Sequence, residues 1–126
     1  MSWGNFTDLE VYKACRAFRK KISKTAKTYF PPEEKWRLTD QILRSSRSVT
    51  SQIAEGHGRY HYQENIQFCR VGRGSHSETL EHLITAFDEE YITEEKLKEL
   101  KADWDHCLKL LNGYINYLQN KKRGGR

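Results

Sequence analysis

LTDQILRSSRSVTSQIAEGHGR, residues 38–59, carries the clearest structural pattern in the chain. Its large apolar residues recur at helical spacing and form one stripe, made of Leu38, Ile42, Val49 and Ile53. Six of the ten residues 45–54 are Ser, Thr or Ala, which let a second helix approach closely. The pattern predicts an amphipathic helix that packs one side against another helix. We expect it to end near Glu55, with Gly56 or Gly58 in a left-handed cap position.

Three further apolar stripes with helical spacing lie outside this segment, over residues 11–26, 66–87 and 97–118. Short connections separate the four segments, and one of them contains Pro31 and Pro32. Four amphipathic helices joined in this way predict an all-α protein, an antiparallel up-down-up-down four-helix bundle. We assign residues 1–120 to the bundle and residues 121–126 to a basic, disordered tail.

Local signals refine two helix starts and raise one question about the core. Thr7 and Thr93 each precede an acid-rich first turn, so both are predicted to be N-caps.

The third stripe is interrupted by Arg73 and His76. Because a buried charge without a partner is strongly destabilising, we expect one of two arrangements. Either Arg73 reaches an acid such as Glu78, or this part of the helix faces a water-filled or subunit-lined space.

A more specific pattern, QI-x6-V-x3-IAEG-x-GR, runs through the same segment. FPPEEKWRLTDQI precedes it, and F-x-R-V-x-x-GS-x-x-E follows it. On these motifs the chain resembles, from about residue 6 to about residue 118, the four-helix-bundle proteins encoded in intervening sequences of bacterial 23S rRNA genes. We interpret the matching small and charged positions as structural, not catalytic: Ile53, Ala54, Glu55, Gly56, Gly74, Ser75 and Glu78.

The resemblance carries implications for assembly. This fold is similar to that of the accessory protein of diversity-generating retroelements, a basic pentameric barrel that associates with a reverse transcriptase and with RNA. The resemblance therefore implies a homopentamer, and it makes a reverse transcriptase or a ribonucleoprotein a candidate partner. It implies no enzymatic activity of its own.

Charge is unevenly distributed along the chain. The 22 basic and 17 acidic residues give a net charge of +5, yet residues 78–105 hold ten acids and only three bases. A basic surface of this kind is typical of proteins that contact nucleic-acid phosphates. The candidate contacts lie outside the acidic segment and are Arg16, Lys20, Lys24, Lys27, Arg44, Arg47, Arg59, Arg70, Arg73, Lys121, Lys122 and Arg123. Tyr60 and Tyr62 could stack on unpaired bases.

Two alternatives to nucleic-acid binding stay open. A purely structural module for protein interaction would use the acidic segment of one subunit to dock on the basic face of the next. A ribonuclease would use His57, His61 and Arg59, but we predict no enzyme because the histidines are scattered and no catalytic set stands out.

Other classes of function lack support in the sequence. We expect no cofactor and no metal, because no nucleotide-binding motif and no Cys/His ligand spacing occurs. The stretch MSWGNFTDLE lacks a signal-peptide pattern, and no apolar run could cross a membrane. Cys15, Cys69 and Cys107 are odd in number and lie on or beside apolar stripes, so we expect buried free thiols in the cytoplasm.

Overall fold

The protein consists of four long helices over residues 2–125, the residues that the computed structural model describes; side chains are described as far as Gly124. The helices are α1 (Glu10–Tyr29), α2 (Leu38–Gly58), α3 (Tyr62–Asp88) and α4 (Glu94–Gly125). Short 3-10 helices, Phe6–Asp8 and Pro32–Glu34, precede α1 and α2, and residues 2–125 contain no strand. The predicted all-α class is confirmed.

The four helices surround one core. Each helix packs on its neighbours in the chain, and α1 also packs on α4, which closes the bundle. The connections cover residues 30–37, 59–61 and 89–93, so consecutive helices run antiparallel. The predicted antiparallel up-down-up-down four-helix bundle is therefore confirmed.

The predicted apolar stripes form the core. One residue per helix illustrates this, since Ile22, Ile53, Leu83 and Leu111 are all fully buried. The three cysteines are buried and free as expected. Burial raises the pKa of Cys69 to about 11, which keeps that thiol protonated and unreactive.

Small polar residues line the contact between α2 and α3. The Ser45 and Thr79 hydroxyls lie 2.8 Å apart in the core, and Ser75 Oγ donates to Ser48 Oγ at 2.9 Å. A Cβ added to Gly72 would lie 3.2 Å from Gln52 Cβ. The backbone of α3 therefore packs closely against the Gln52 side chain of α2. The prediction that small residues in the 38–59 segment admit a second helix is confirmed.

The end of α2 differs from the prediction. α2 continues through Gly58, and neither Gly56 nor Gly58 has a positive φ. The left-handed position belongs to Tyr60, with φ 57°. Gly56 serves another purpose, because a Cβ there would lie 2.7 Å from Asn65 Oδ1. The position needs a glycine for close packing on α3, not for its backbone angle.

At the helix ends, one predicted cap is confirmed, and two other predictions differ from the structure. Thr93 Oγ1 accepts the Lys96 amide at 3.1 Å, as an N-cap should. Thr7 is not the cap of α1, because it lies inside the 3-10 helix and its own amide donates to Asn5 Oδ1. α4 remains helical through Gly125, whereas a disordered tail was expected from residue 121. Arg126 lies outside the described residues.

Arg73 and His76 have partners within the chain, which neither predicted arrangement anticipated. Arg73 Nη1 donates to Asn112 Oδ1 on α4 at 2.9 Å, and Glu78 instead pairs with His82. The buried His76 ring stacks on Trp104, with centroids 4.6 Å apart and planes 3° from parallel. Its Nε2 lies 2.9 Å from the Trp104 carbonyl oxygen. A neutral, stacked imidazole therefore fills this core position.

Candidate nucleic-acid interface

The two ends of the bundle are built from different connections and carry different charged residues. At the end that we call the basic end, the start of α1, the 59–61 connection and the end of α4 meet, and Lys122 Nζ donates to Gln63 Oε1 there. At the acidic end, the 30–37 and 89–93 connections meet through Tyr91, whose hydroxyl donates to Glu34 Oε2 at 2.6 Å. This bond lowers the pKa of Glu34 and raises that of Tyr91 to about 12.

A cleft at the basic end gathers cations from α3 and α4. It encloses about 310 Å³ and is lined by Gln63, Ile66, Arg70, Gln119, Lys122 and Arg123; we call it the cationic cleft. Among the residues that the structure describes, no carboxylate contributes to this lining. Arg70 is exposed, and within the described part of the chain no hydrogen bond or ion pair holds its guanidinium. The chemistry suits a phosphate group, because guanidinium and ammonium groups form charge-assisted hydrogen bonds with phosphate oxygens.

A second cavity at the basic end is aromatic. It encloses about 290 Å³ and is lined by Leu9, His57, Tyr60, His61, Tyr62, Asn65, Tyr114, Tyr117 and Leu118; we call it the Tyr–His cavity. Tyr60 is 87% exposed, Tyr117 53% and Tyr62 44%. Such large exposed rings indicate a surface that contacts another molecule.

Local structure explains how these rings converge. The left-handed conformation of Tyr60 reverses the chain between α2 and α3, so that Tyr62 follows on the same end. On α4, Tyr114 and Tyr117 are one turn apart, and their rings lie nearly parallel with centroids 6.3 Å apart. Asn65 Nδ2 donates to the Tyr114 hydroxyl at 3.1 Å and ties the two helices together. Burial raises the pKa of Tyr114, so this phenol stays neutral.

Arg59, one of the candidate phosphate contacts, interacts with both α2 and α3. Its guanidinium is 3.2 Å from Glu55 and 3.6 Å from Glu64, and it stacks over the Phe68 ring at 5.0 Å. These ion pairs are about half exposed and therefore weak, so a phosphate could compete for the same guanidinium.

The remaining candidates form a separate surface on α1 and α2. Six exposed cations belong to it: Arg16, Lys20, Lys24, Lys27, Arg44 and Arg47. Only Arg44 has an ion pair among the described residues, 3.7 Å from Asp40. Arg19, which the sequence interpretation omitted, joins the two helices by donating to Thr50 Oγ1 at 2.8 Å. The structure thus divides the candidate cations between the basic end and the outer α1–α2 face.

Two basic residues are taken up by contacts inside the chain. Arg73 is half-buried on Asn112 and contributes little to the free surface. Lys21 contacts Asp103 at 2.6 Å and Glu99 at 3.6 Å, and the Asp103 bond raises the Lys21 pKa. Part of the charge in the acidic segment is therefore neutralised by α1 of the same chain.

The predicted structural positions behave differently from one another. Gly56 and Ser75 make close contacts between α2 and α3, as described above. Ile53 is fully buried and Ala54 half-buried. Gly74, in contrast, is exposed and has open space around its Cβ position.

The residues that the structure describes contain neither a metal-binding cluster nor a membrane-spanning helix. No group of three or more His, Cys, Asp or Glu side chains there could hold a metal ion. None of the described helices is both long enough and apolar enough to span a membrane.

The fold and the basic end define a small four-helix-bundle protein with a cationic and aromatic surface at one end. The family model of the 23S rRNA-intervening sequence protein matches residues 7–113, and the chain belongs to that family. A crystal structure from Bacteroides thetaiotaomicron, of a protein with unknown function from the S23 ribosomal protein family, superposes with a TM-score of 0.76. The two chains are 25% identical over 83% of this chain and 97% of that one. Comparison with curated proteins gives no match.

Proposed function

We propose that the protein binds RNA, or another structured nucleic acid, chiefly through its phosphates and without catalysing a reaction. The observation that carries the proposal is the cationic cleft, where Arg70, Lys122 and Arg123 line one space and the exposed Arg70 guanidinium has no partner among the described residues. Exposed cations on the α1–α2 face would extend the contact. The family is named after an intervening sequence of 23S rRNA, and this association with an RNA also supports the proposal. An RNA partner and buried free cysteines both fit a cytoplasmic location.

Salt dependence tests this proposal directly. Affinity for single-stranded RNA should fall by about 0.7 log units per phosphate contact for each tenfold rise in salt. Arg70→Gln and Lys122→Gln should weaken binding to every RNA sequence alike, and each should reduce the slope by about 0.7. Lys98→Gln is the matched control, because Lys98 is an exposed lysine near the acidic end. Absence of measurable binding at low salt contradicts the proposal.

The two basic surfaces can be separated by a second variant set. Neutralising Lys20, Lys24, Arg44 and Arg47 together should lower affinity uniformly and leave the oligomer unchanged. Removing residues 121–126 should lower it only in part, because Arg70 remains in the cationic cleft. If both sets leave filter binding unaltered, neither surface contacts the phosphates.

The finer part of the proposal concerns partners. We infer a homopentamer that serves as an accessory factor to a reverse transcriptase or a ribonucleoprotein, on the family resemblance alone. In a pentamer each basic end is displayed five times, so modest contacts would add through multivalency. The genes that flank the coding sequence distinguish the two contexts: a ribosomal RNA operon, or a reverse transcriptase.

An assembly module without nucleic-acid binding is the second candidate. The observation that favours it is Trp36, which is 79% exposed near the acidic end and contacts only the Lys35 ammonium among the described aromatic and cationic pairs. A large exposed indole is typical of protein contacts. Oligomer formation combined with no RNA binding at low salt selects this function.

A further inference from the structure

We propose that the Tyr–His cavity binds unpaired nucleobases, so that the basic end prefers single-stranded RNA to double-stranded RNA. This inference rests on the proposed function, because the base enters the cavity only if the phosphates of the same strand bind beside it. The inference adds that the basic end binds the single-stranded form of the nucleic acid.

Stacking is the interaction that the cavity offers. Tyr60, Tyr62 and Tyr117 expose much of their rings into or beside one space of about 290 Å³. His57 and His61 add two flat, polar rings to the same lining. Every nucleobase has an aromatic face that stacks on such rings, and stacking on aromatic side chains is a general means of holding single strands.

Cations stand where the phosphates of a bound strand would lie. Lys121 Nζ is 5.8 Å from the Tyr117 ring centroid, and Arg59 directly precedes Tyr60 in the chain. Tyr62 in the cavity and Gln63 in the cationic cleft are adjacent residues, so the two sites are neighbours at the start of α3. A strand with one base in the cavity can therefore place adjacent phosphates on Lys121 or in the cationic cleft.

The aromatic lining of the cavity predicts tolerance of base identity. Asn65 Nδ2 already donates to the Tyr114 hydroxyl, and Asn65 Oδ1 accepts the Cys69 thiol at 3.5 Å. These two bonds hold Asn65 in place, whereas stacking on the cavity's aromatic rings is open to every base. We therefore expect a preference for unpaired bases in general and little discrimination among them.

Duplex RNA cannot use this cavity. Its bases are paired and stacked on each other, and side chains cannot enter its deep, narrow major groove. A duplex would contact only the cations of the basic end.

Three probes and three variants of the full chain test the inference. The probes are a short oligouridylate, an abasic oligonucleotide of equal length, and a duplex RNA of equal length. Tyr60→Ala and Tyr117→Ala should each reduce affinity for the oligouridylate about 5- to 100-fold, the range expected for one stacked base. Affinity for the abasic and duplex probes should stay unchanged. Tyr29→Ala is the matched control, since Tyr29 is 48% exposed at the acidic end.

The outcomes separate this inference from the proposed function. Equal losses on all three probes, or no loss on any, overturn the base site. If Arg70→Gln still weakens binding to all three, the phosphate function stands without it. If the wild-type protein binds none of the probes, both the base site and the proposed phosphate-binding function are refuted. Light scattering completes the test: a change in oligomer mass in Tyr60→Ala or Tyr117→Ala means that another copy of the chain covers the cavity, which also overturns the inference.

Discussion

Gly56 lies in the last turn of α2, where α3 passes closest. An added Cβ would meet Asn65 Oδ1 at 2.7 Å and Phe68 Cβ at 2.9 Å, too close for either to remain in place. Gly56→Ala should therefore destabilise the protein by about 1–3 kcal/mol. Gly74→Ala, the same change at an exposed helical glycine with open space around it, should stabilise by about 0.5–1 kcal/mol. Urea unfolding compares the two, and equal shifts would contradict the packing role of Gly56.

His76 makes stability depend on pH. Burial is the main cause that holds its pKa below the ordinary 6.5, while the Trp104 bond and Asp105 oppose the shift. The folded protein thus binds the proton more weakly than the unfolded chain does. The stabilising contribution is present in full above the unfolded pKa and is lost as pH falls below it.

A substitution isolates this effect. His76→Gln keeps a donor for the Trp104 carbonyl and cannot titrate, so its unfolding free energy should depend less on pH between about 7 and 5 than that of the wild type. Chemical denaturation at several pH values measures the slope. An unchanged slope would assign the pH dependence to other groups.

Between elements, α2 and α3 are joined by buried hydroxyls as well as by apolar contacts. Ser45 also bonds the Ile42 carbonyl oxygen, and Thr79 donates to that of Ser75, so each hydroxyl retains a backbone partner if the other is removed. Thr79→Val should therefore cost about 0.5–1.5 kcal/mol, the value of one net hydrogen bond. A double-mutant cycle with Ser45→Ala gives the coupling directly. A coupling of zero would show that the 2.8 Å contact contributes no stability.

At the scale of the whole molecule, the expected assembly is a homopentamer. The polar positions Arg73 and His76 no longer argue for a subunit-lined space, because both are satisfied inside one chain. The expectation depends on the family resemblance. Light scattering at micromolar concentration should return about five times the chain mass of 14.9 kDa. A mass of one chain would refute it.

Much of the architecture could be predicted from the amino-acid sequence, because helical periodicity and capping are local properties. The stripes through Ile22, Ile53, Leu83 and Leu111 predicted which side of each helix is buried. Thr93 marked the start of α4 for the same reason, since its cap bond spans only three residues. The uneven distribution of charge along the chain was equally readable from the sequence.

The roles of single residues at helix contacts could not be predicted in this way, because they depend on distant partners. A glycine near a helix end favours a left-handed cap locally, and only the approach of Asn65 shows that Gly56 is needed for space. Arg73 donates to Asn112, which is thirty-nine residues away in the chain, and not to a nearby acid. Tyr60 and Tyr117 line one cavity because antiparallel packing brings the end of α4 beside the 59–61 connection. Side-chain convergence of this kind is a property of the packed bundle, since local patterns carry no information about which helices become neighbours.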